Sequence, residues 1–225
     1  MATSLAFDVY GTLIDTHGVV DALRLLVGDD ARLFSQQWRE KQLEYSFRRG
    51  LMDDYVDFSV CTRQALDYTA ATTHHLLTEK ETDGLMQVYT QLPAFDDVLA
   101  CLTEAQSAGA RLFAFSNGSS QAVEALLQHA GIRDFFEGVI SVEGVKTFKP
   151  NPRVYDHFVE ATHSDLNDCC LVSSNSFDVL GALNANWRAV WVQRDSHVQF
   201  DPWGVQPTAT VDRLTSLHQV LSAAS

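Results

Sequence analysis

A chain of 225 residues, 46% hydrophobic and 20% charged, has an ordinary globular composition. That excludes disorder and suits a single α/β domain, alone or with a smaller insert. Its 29 acidic residues outnumber 16 basic ones for a net charge of −13, a field that repels polyanions and argues against nucleic-acid or anionic-membrane partners. An anionic substrate would need a few local cations to capture it.

The first residues carry no basic region and reach Asp8 before an apolar run develops. No stretch approaches the ~18 uncharged apolar residues that span a bilayer. Leu5–Tyr10 reads as a first buried strand. Residues 15–92 then hold no strand pattern but several helical stripes, among them Phe34/Trp38 and Leu43/Phe47 at i, i+4 spacing. After Leu92-Pro93 short apolar runs return at Arg111–Ser116, Gly138–Ser141, Cys170–Ser173 and Ala189–Gln193. Between them Ser120 is placed to cap a helix bearing Val123, Leu126 and Leu127 that ends at Gly131. Pro152 suits the first turn of a helix bearing Val154, Phe158 and Val159. Strand–helix alternation with short joints means right-handed βαβ units and a parallel sheet covered on both faces. The expected architecture is α/β, a parallel-sheet, Rossmann-like core over residues 1–14 and 93–225 with an all-helical cap over 15–92. Cys61, Cys101, Cys169 and Cys170 show no Cys-x-x-Cys spacing. They read as small buried hydrophobes in a reducing compartment, so a cytoplasmic chain is expected.

In an open parallel sheet, ligands bind beyond the carboxyl ends of the strands. Those ends carry Asp8-Val9-Tyr10-Gly11-Thr12, then Ser116-Asn117-Gly118, then Lys146-Thr-Phe-Lys149-Pro150, then Ser173-Ser174-Asn175-Ser176-Phe177-Asp178. Two carboxylates, two lysines, several hydroxyls and two amides are thus directed to one rim. Each loop alone has a plain reading as a turn or helix entry; four at once point to a site. The eight histidines lack metal-ligand spacing, no Gly-x-Ser-x-Gly elbow is present, and Gly144-Val-Lys146-Thr147 lacks the glycine spacing of a phosphate loop.

These motifs resemble the haloacid dehalogenase superfamily, in which an Asp nucleophile ends the first strand with Thr four residues on, followed by Ser or Thr, then Lys, then an acidic loop. The finer resemblance is to the L-2-haloacid dehalogenases. It is carried by Phe7-Asp-Val-Tyr-Gly-Thr12, Gln37-Trp-Arg-Glu-Lys-Gln-Leu-Glu-Tyr45, Ser116-Asn-Gly118, Lys149-Pro150 with Tyr155, and Ser173-Ser-Asn-Ser-Phe-Asp178. Phosphatases of the superfamily place Asp where this chain has Tyr10 and, in the last loop, where it has Ser174. Magnesium wants an octahedron of oxygens, so a site without those acids is a poor magnesium site. The resemblance therefore implies a cofactor-free, metal-independent hydrolase acting on carbon–halide bonds. Two positions depart from the family pattern: Glu40, where Gln is expected, and Phe177, where Trp is usual.

The implied reaction is hydrolysis of short L-2-haloacids, such as haloacetates and 2-halopropionates, to 2-hydroxyacids with inversion through an Asp8 ester. Water is a weak nucleophile at such a carbon, and a fixed carboxylate divides one hard step into two easier ones. By resemblance Thr12, Ser116 and Lys149 orient Asp8. Ser116 and the backbone N–H groups around Val9, Tyr10 and Asn117 bind the substrate carboxylate. Arg39, from the cap, receives the leaving halide beside Asn117 and Phe177. A water held by Asn175, Ser173 and Asp178, with Lys149 and Tyr155 in support, then cleaves the ester. The alternative for Arg39 is a surface ion pair with Glu40 or Glu44, and pairing with Glu40 would weaken its field at the halide. Chloride and bromide are expected to leave faster than fluoride, with defluorination slow. The expected partners are the small anionic haloacid, water and halide, with no nucleic acid and no membrane, and a homodimer by family likeness. The rivals are a magnesium-dependent phosphatase of the same superfamily and a non-catalytic relative used for binding.

Overall fold

The computed structural model describes residues 2–219. Among the described residues six strands form one sheet: β1 (Ser4–Asp8), β2 (Arg111–Ser116), β3 (Gly138–Ser141), β4 (Cys169–Ser173), β5 (Arg188–Val192) and β6 (Ala209–Val211). All neighbours run parallel, in the order β3-β2-β1-β4-β5-β6. Successive side chains of a strand point to opposite faces, and the two cores follow that rule. Leu5, Phe7, Leu112, Ala114, Cys170 and Val172 enter one core; Ala6, Phe113, Phe115, Cys169 and Leu171 enter the other. The first face is covered by α5 (Val98–Ser107) and α6 (Ser120–His129), the second by α7 (Pro152–Thr162) and α8 (Ser176–Asn184).

The segment between β1 and α5 is helical, as its stripes required: α1 (Gly18–Val27), α2 (Ala31–Leu51), α3 (Phe58–Thr72) and α4 (Glu79–Val88). Local chemistry sets their starts. Asp57 accepts from the N–H of Ser59 at 2.8 Å ahead of α3, and Thr78 with Glu81 closes a capping box on α4. Phe34 and Trp38 are buried as expected, whereas Phe47 is only half-buried. The chain's two passages between sheet and helices are zipped together: Asp15 N–H donates to the Pro93 carbonyl at 2.8 Å and Phe95 N–H to the Leu13 carbonyl at 2.9 Å. Arg194 braces this junction by bonding Asp97 through one nitrogen and the Thr12 carbonyl through the other.

Several expected boundaries move. The first strand stops at Asp8 rather than Tyr10, because the Val9 carbonyl turns inward and accepts the N–H groups of Thr12, Leu13 and Ile14. That tight turn needs φ +83° at Gly11, a backbone region open to glycine. Strands four and five each begin one residue earlier than expected. The sixth strand has three residues at the sheet edge, too short for a periodic signal. Ser120 does not cap α6; it is the first residue of the helix, and its N–H donates to the Glu143 carboxylate at 2.9 Å. Asn151 caps α7, with Pro152 at its first position as expected. All four cysteines are free and buried. No helix among the described residues is long and apolar enough to cross a membrane.

Candidate active site

The sheet's order reverses between β1 and β4, and a crevice opens at their carboxyl ends. Asp8 stands there as the last residue of β1, 8% exposed. Thr12 Oγ1 donates to its Oδ2 at 3.0 Å and Asn175 Nδ2 to the same oxygen at 2.7 Å, while Lys149 Nζ reaches Oδ1 at 3.1 Å. The carboxylate is therefore held by two neutral donors on one oxygen and an ammonium on the other. Such clamping fixes its direction without removing all its lone pairs.

Lys149, 1% exposed, lies between two acids. Its ammonium also meets Asp178 Oδ2 at 2.7 Å and the Phe115 carbonyl at 2.8 Å, and stands 4.2 Å from the Phe115 ring centre. Burial alone would push its pKa down, but the carboxylates of Asp178 and Asp8 outweigh that and hold it above the usual 10.5. Asp178 is completely buried. Burial raises its pKa from 3.8 to about 6 against the opposing pull of Lys149, with the Asp8 charge adding to the rise. Tyr155 Oη donates to Asp178 Oδ1 at 2.8 Å, and burial beside that acid holds the phenol's pKa well above 10. The phenol thus keeps its proton and remains a donor.

The remaining loops divide into holders and open donors. Ser173 Oγ accepts from the Asn175 N–H at 3.1 Å. Asn117 Oδ1 accepts the Lys149 N–H at 2.9 Å, so Asn117 fixes the lysine's backbone and keeps its amide N–H groups for other use. Ser116 does not hydrogen-bond Asp8. Its oxygen accepts from Gly118 N–H at 3.1 Å, which leaves the hydroxyl proton to be donated elsewhere. Lys146 lies outside the site: it is exposed, with its ammonium 5.0 Å from the Tyr55 ring centre. A short loop with φ +51° at Lys146 turns that side chain outward.

From the helical side, α2 delivers Arg39. Its Nη2 stands 3.5 Å from Asn175 Oδ1 and its Nη1 donates to Gln42 Oε1 at 2.7 Å. The surface pairing considered for Arg39 does not form. Glu40 is exposed and accepts from Gln36, and Glu44 pairs with Lys41 and Arg48. Phe177, at the start of α8, meets Phe47 of α2 edge-on with ring centres 5.1 Å apart. Tyr10 and Tyr89 approach at 6.3 Å, and burial pushes both phenols up to about 12. They border a cavity of about 350 Å³ between the sheet and the helical insert, also lined by Gln42, Phe58, Met86 and Gly118.

The donor set does not suit a divalent metal. The carboxylates of Asp8 and Asp178 are already bridged by the lysine ammonium. Ser174 is engaged with Thr12 and with the Gly11 carbonyl, and no group of three or more His, Cys, Asp or Glu placed to hold a metal occurs among the described residues. Sequence reasoning gave no role to Gln42, Gly181 or Arg194. Gln42 lies within the Gln37–Tyr45 motif but without a signal for its partner, while the other two act through contacts distant in the chain.

Residues 3–186 match the family model described as haloacid dehalogenase-like hydrolase. The (S)-2-haloacid dehalogenase of Pseudomonas sp. (strain YL) is 35% identical, with 98% of this chain and 95% of that protein covered. Haloacetate dehalogenase H-2 of Moraxella sp. (strain B) is 33% identical, with 97% of each covered. The L-2-haloacid dehalogenase of Xanthobacter autotrophicus, solved with chloropropionic acid covalently bound, superposes with a TM-score of 0.93 at 31% identity over 100% of both chains. A Rossmann-like sheet with a clamped Asp8 at its switch point, a helical insert supplying an arginine, and full-length likeness at this level lead to one assignment: the chain belongs to the haloacid dehalogenase-like hydrolase family, in its L-2-haloacid dehalogenase branch.

Proposed function

We propose that this chain hydrolyses short (S)-2-haloacids, haloacetates and 2-halopropionates, to 2-hydroxyacids with inversion, through an ester on Asp8. The observation that carries this reading is the convergence on one carboxylate of Thr12, Lys149 and Asn175, with Arg39 of the helical insert meeting the other amide atom of that Asn175. A fixed anion facing a fixed cation suits back-side displacement of halide.

One Asp8 carboxylate oxygen attacks the halogen-bearing carbon; the carbon–halogen bond breaks and halide leaves with the electron pair. Arg39 stabilises the departing charge, with Asn117 and Phe177 beside it. Arginine keeps its charge when partly desolvated. The substrate carboxylate is received by the Ser116 hydroxyl and by the N–H groups of Val9, Tyr10 and Asn117. Water then attacks the Asp8 acyl carbon, which breaks the acyl–oxygen bond and releases the hydroxyacid and a proton. Asn175 and Ser173 hold that water, and Asp178 accepts its proton. Burial, which raises the Asp178 pKa, makes that carboxylate a stronger base toward the water. Lys149 and Tyr155 orient Asp178, and Thr12 orients Asp8.

The reading includes a core of residues 1–14 and 93–225 with a cap over 15–92; Met1 and residues 220–225 lie outside the described residues. It also includes a homodimer, for which the exposed apolar side chains Leu33 and Leu76 offer surface. A cytoplasmic location is supported by the four free, buried thiols. The test is single-turnover hydrolysis of (S)-2-chloropropionate in oxygen-18 water. Label should enter Asp8, leaving the first-turnover product unlabelled, and Asp8→Asn should abolish halide release. Label in the first product would overturn the ester route, and release of phosphate from phosphomonoesters without halide release would favour the phosphatase rival.

A further inference from the structure

The side chain that aims Arg39 is itself buried and fixed from a second helix. Gln42 is 2% exposed and Thr62 4%, so each polar atom needs a partner inside the protein. Trp38 Nε1 donates to the Thr62 carbonyl at 2.8 Å, which pins α2 to α3 at this level.

The direction of each bond is settled by the one partner that cannot donate. Thr62 Oγ1 lies 2.9 Å from the Phe58 carbonyl and must give its proton there. The same hydroxyl can then only accept, so it receives the Gln42 Nε2 donor. An amide orientation is ordinarily ambiguous; here the order of donors leaves Gln42 Oε1 facing Arg39 Nη1 at 2.7 Å. The chain of contacts continues from Arg39 Nη2 to Asn175 Oδ1 at 3.5 Å, and from Asn175 Nδ2 to Asp8 Oδ2 at 2.7 Å. A backbone carbonyl on α3 is thus connected to the nucleophile through Thr62, Gln42, Arg39 and Asn175.

We propose that Gln42, oriented by Thr62, is the positioning residue for Arg39 and sets where the guanidinium meets the leaving halide. The inference rests on the halide role given to Arg39 above. Its chemical sense lies in the acceptor being neutral. A carboxylate at this position would hold the guanidinium equally well but cancel the field needed at the halide. An apolar side chain would leave a long, rotatable arm to be ordered at each turnover. The neighbouring acids do not compete, since Glu40 is taken by Gln36 and Glu44 by Lys41 and Arg48.

The experiment compares wild type with Gln42→Met, Thr62→Val and Thr62→Ser. Nitrogen-15 NMR of the substrate-free proteins reads rotation of the Arg39 guanidinium, and halide release gives kcat and KM for (S)-2-chloropropionate and (S)-2-bromopropionate. Wild type and Thr62→Ser should show restrained, separate Nη signals that become averaged in Gln42→Met and Thr62→Val. For the chloro substrate, kcat should fall by about ten- to a hundredfold in Gln42→Met with KM within about threefold. Thr62→Val should lose less, and Thr62→Ser should retain wild-type turnover. The loss should be greater for chloride, the poorer leaving group, than for bromide; a purely structural defect would lower both alike. Averaged Arg39 signals in wild type, or undiminished kcat in Gln42→Met, would overturn the proposal. Should Gln42→Met not fold, the Thr62→Val and Thr62→Ser pair decides by the same readouts. A wild type that releases no halide would sink the functional reading instead, while the NMR comparison would still decide whether Gln42 holds Arg39.

Discussion

Removing the Tyr155 hydroxyl should move the acidic limb of the pH–rate profile toward alkaline pH. On the proposed route Asp178 takes a proton from water only when ionised. Burial lifts its pKa to about 6 beside an ionised Asp8, and esterifying Asp8 removes a charge that adds to that rise. Turnover should therefore fall as pH drops through a value at or below about 6. Tyr155 Oη donates at 2.8 Å to the charged form, so it favours ionisation and holds the pKa below what burial alone would impose. A hydrogen bond to a charged group contributes ~1.5–3 kcal/mol, and ~1.36 kcal/mol corresponds to one pH unit. Tyr155→Phe should therefore raise the limb by about one to two pH units. At pH 7 turnover should fall by up to about tenfold and return toward the wild-type level by pH ~9. Lys149, held above 10.5, stays charged across this window. Gly181 offers an independent route to the same effect: a Cβ there would come 2.2 Å from Tyr155 Oη and 2.7 Å from Pro150 Cβ, so Gly181→Ala must displace the phenol. The assay is single-turnover ester hydrolysis from pH 5 to 9.5 with thermal unfolding as a control. A limb that stays in place, or a loss equal at all pH values, would refute the reasoning.

Arg39→Ala should lower halide release by roughly a hundred- to a thousandfold, the usual effect of losing one transition-state charge contact of ~2.7–4 kcal/mol; near-normal turnover would exclude the halide role. Dialysis against EDTA should leave turnover unchanged, because the lysine ammonium occupies the place between the two carboxylates; a large loss restored by Mg²⁺ would revive the phosphatase reading. Chloroacetate and bromoacetate should exceed fluoroacetate in kcat/KM, since Phe177 offers no indole N–H to a departing fluoride. Phe177→Trp should narrow that gap, whereas Glu40→Gln should leave it unchanged because Glu40 bonds Gln36 at the surface; fluoroacetate equal to chloroacetate in the wild type would refute the ranking.

The parallel α/β core, the helical insert and the rim of strand-end loops are legible in the order of residues alone. Those features are written in short-range patterns: buried strands as unbroken apolar runs, helices as i, i+4 stripes, and Asp8, Lys149 and Asp178 as polar residues directly after apolar ones. The strand count fell short by one because Ala209–Val211 is too brief to show a period. Partners were a different matter. The sequence placed Glu40 beside Arg39, yet on a helix adjacent residues point about 100° apart, and Arg39 instead meets Gln42, three residues on. Ser116 stood near Asp8 in prospect but turned to Gly118, and Lys146 left the rim that Lys149 entered. Contacts between segments far apart in the chain set one ammonium between residues 8 and 178, lift Asp178 to about 6 by burial, and bring an α3 threonine to orient the arginine's support. The reason is physical: which residue types sit near a strand end is local information, whereas desolvation and hydrogen-bond direction depend on what folds against them from elsewhere in the chain.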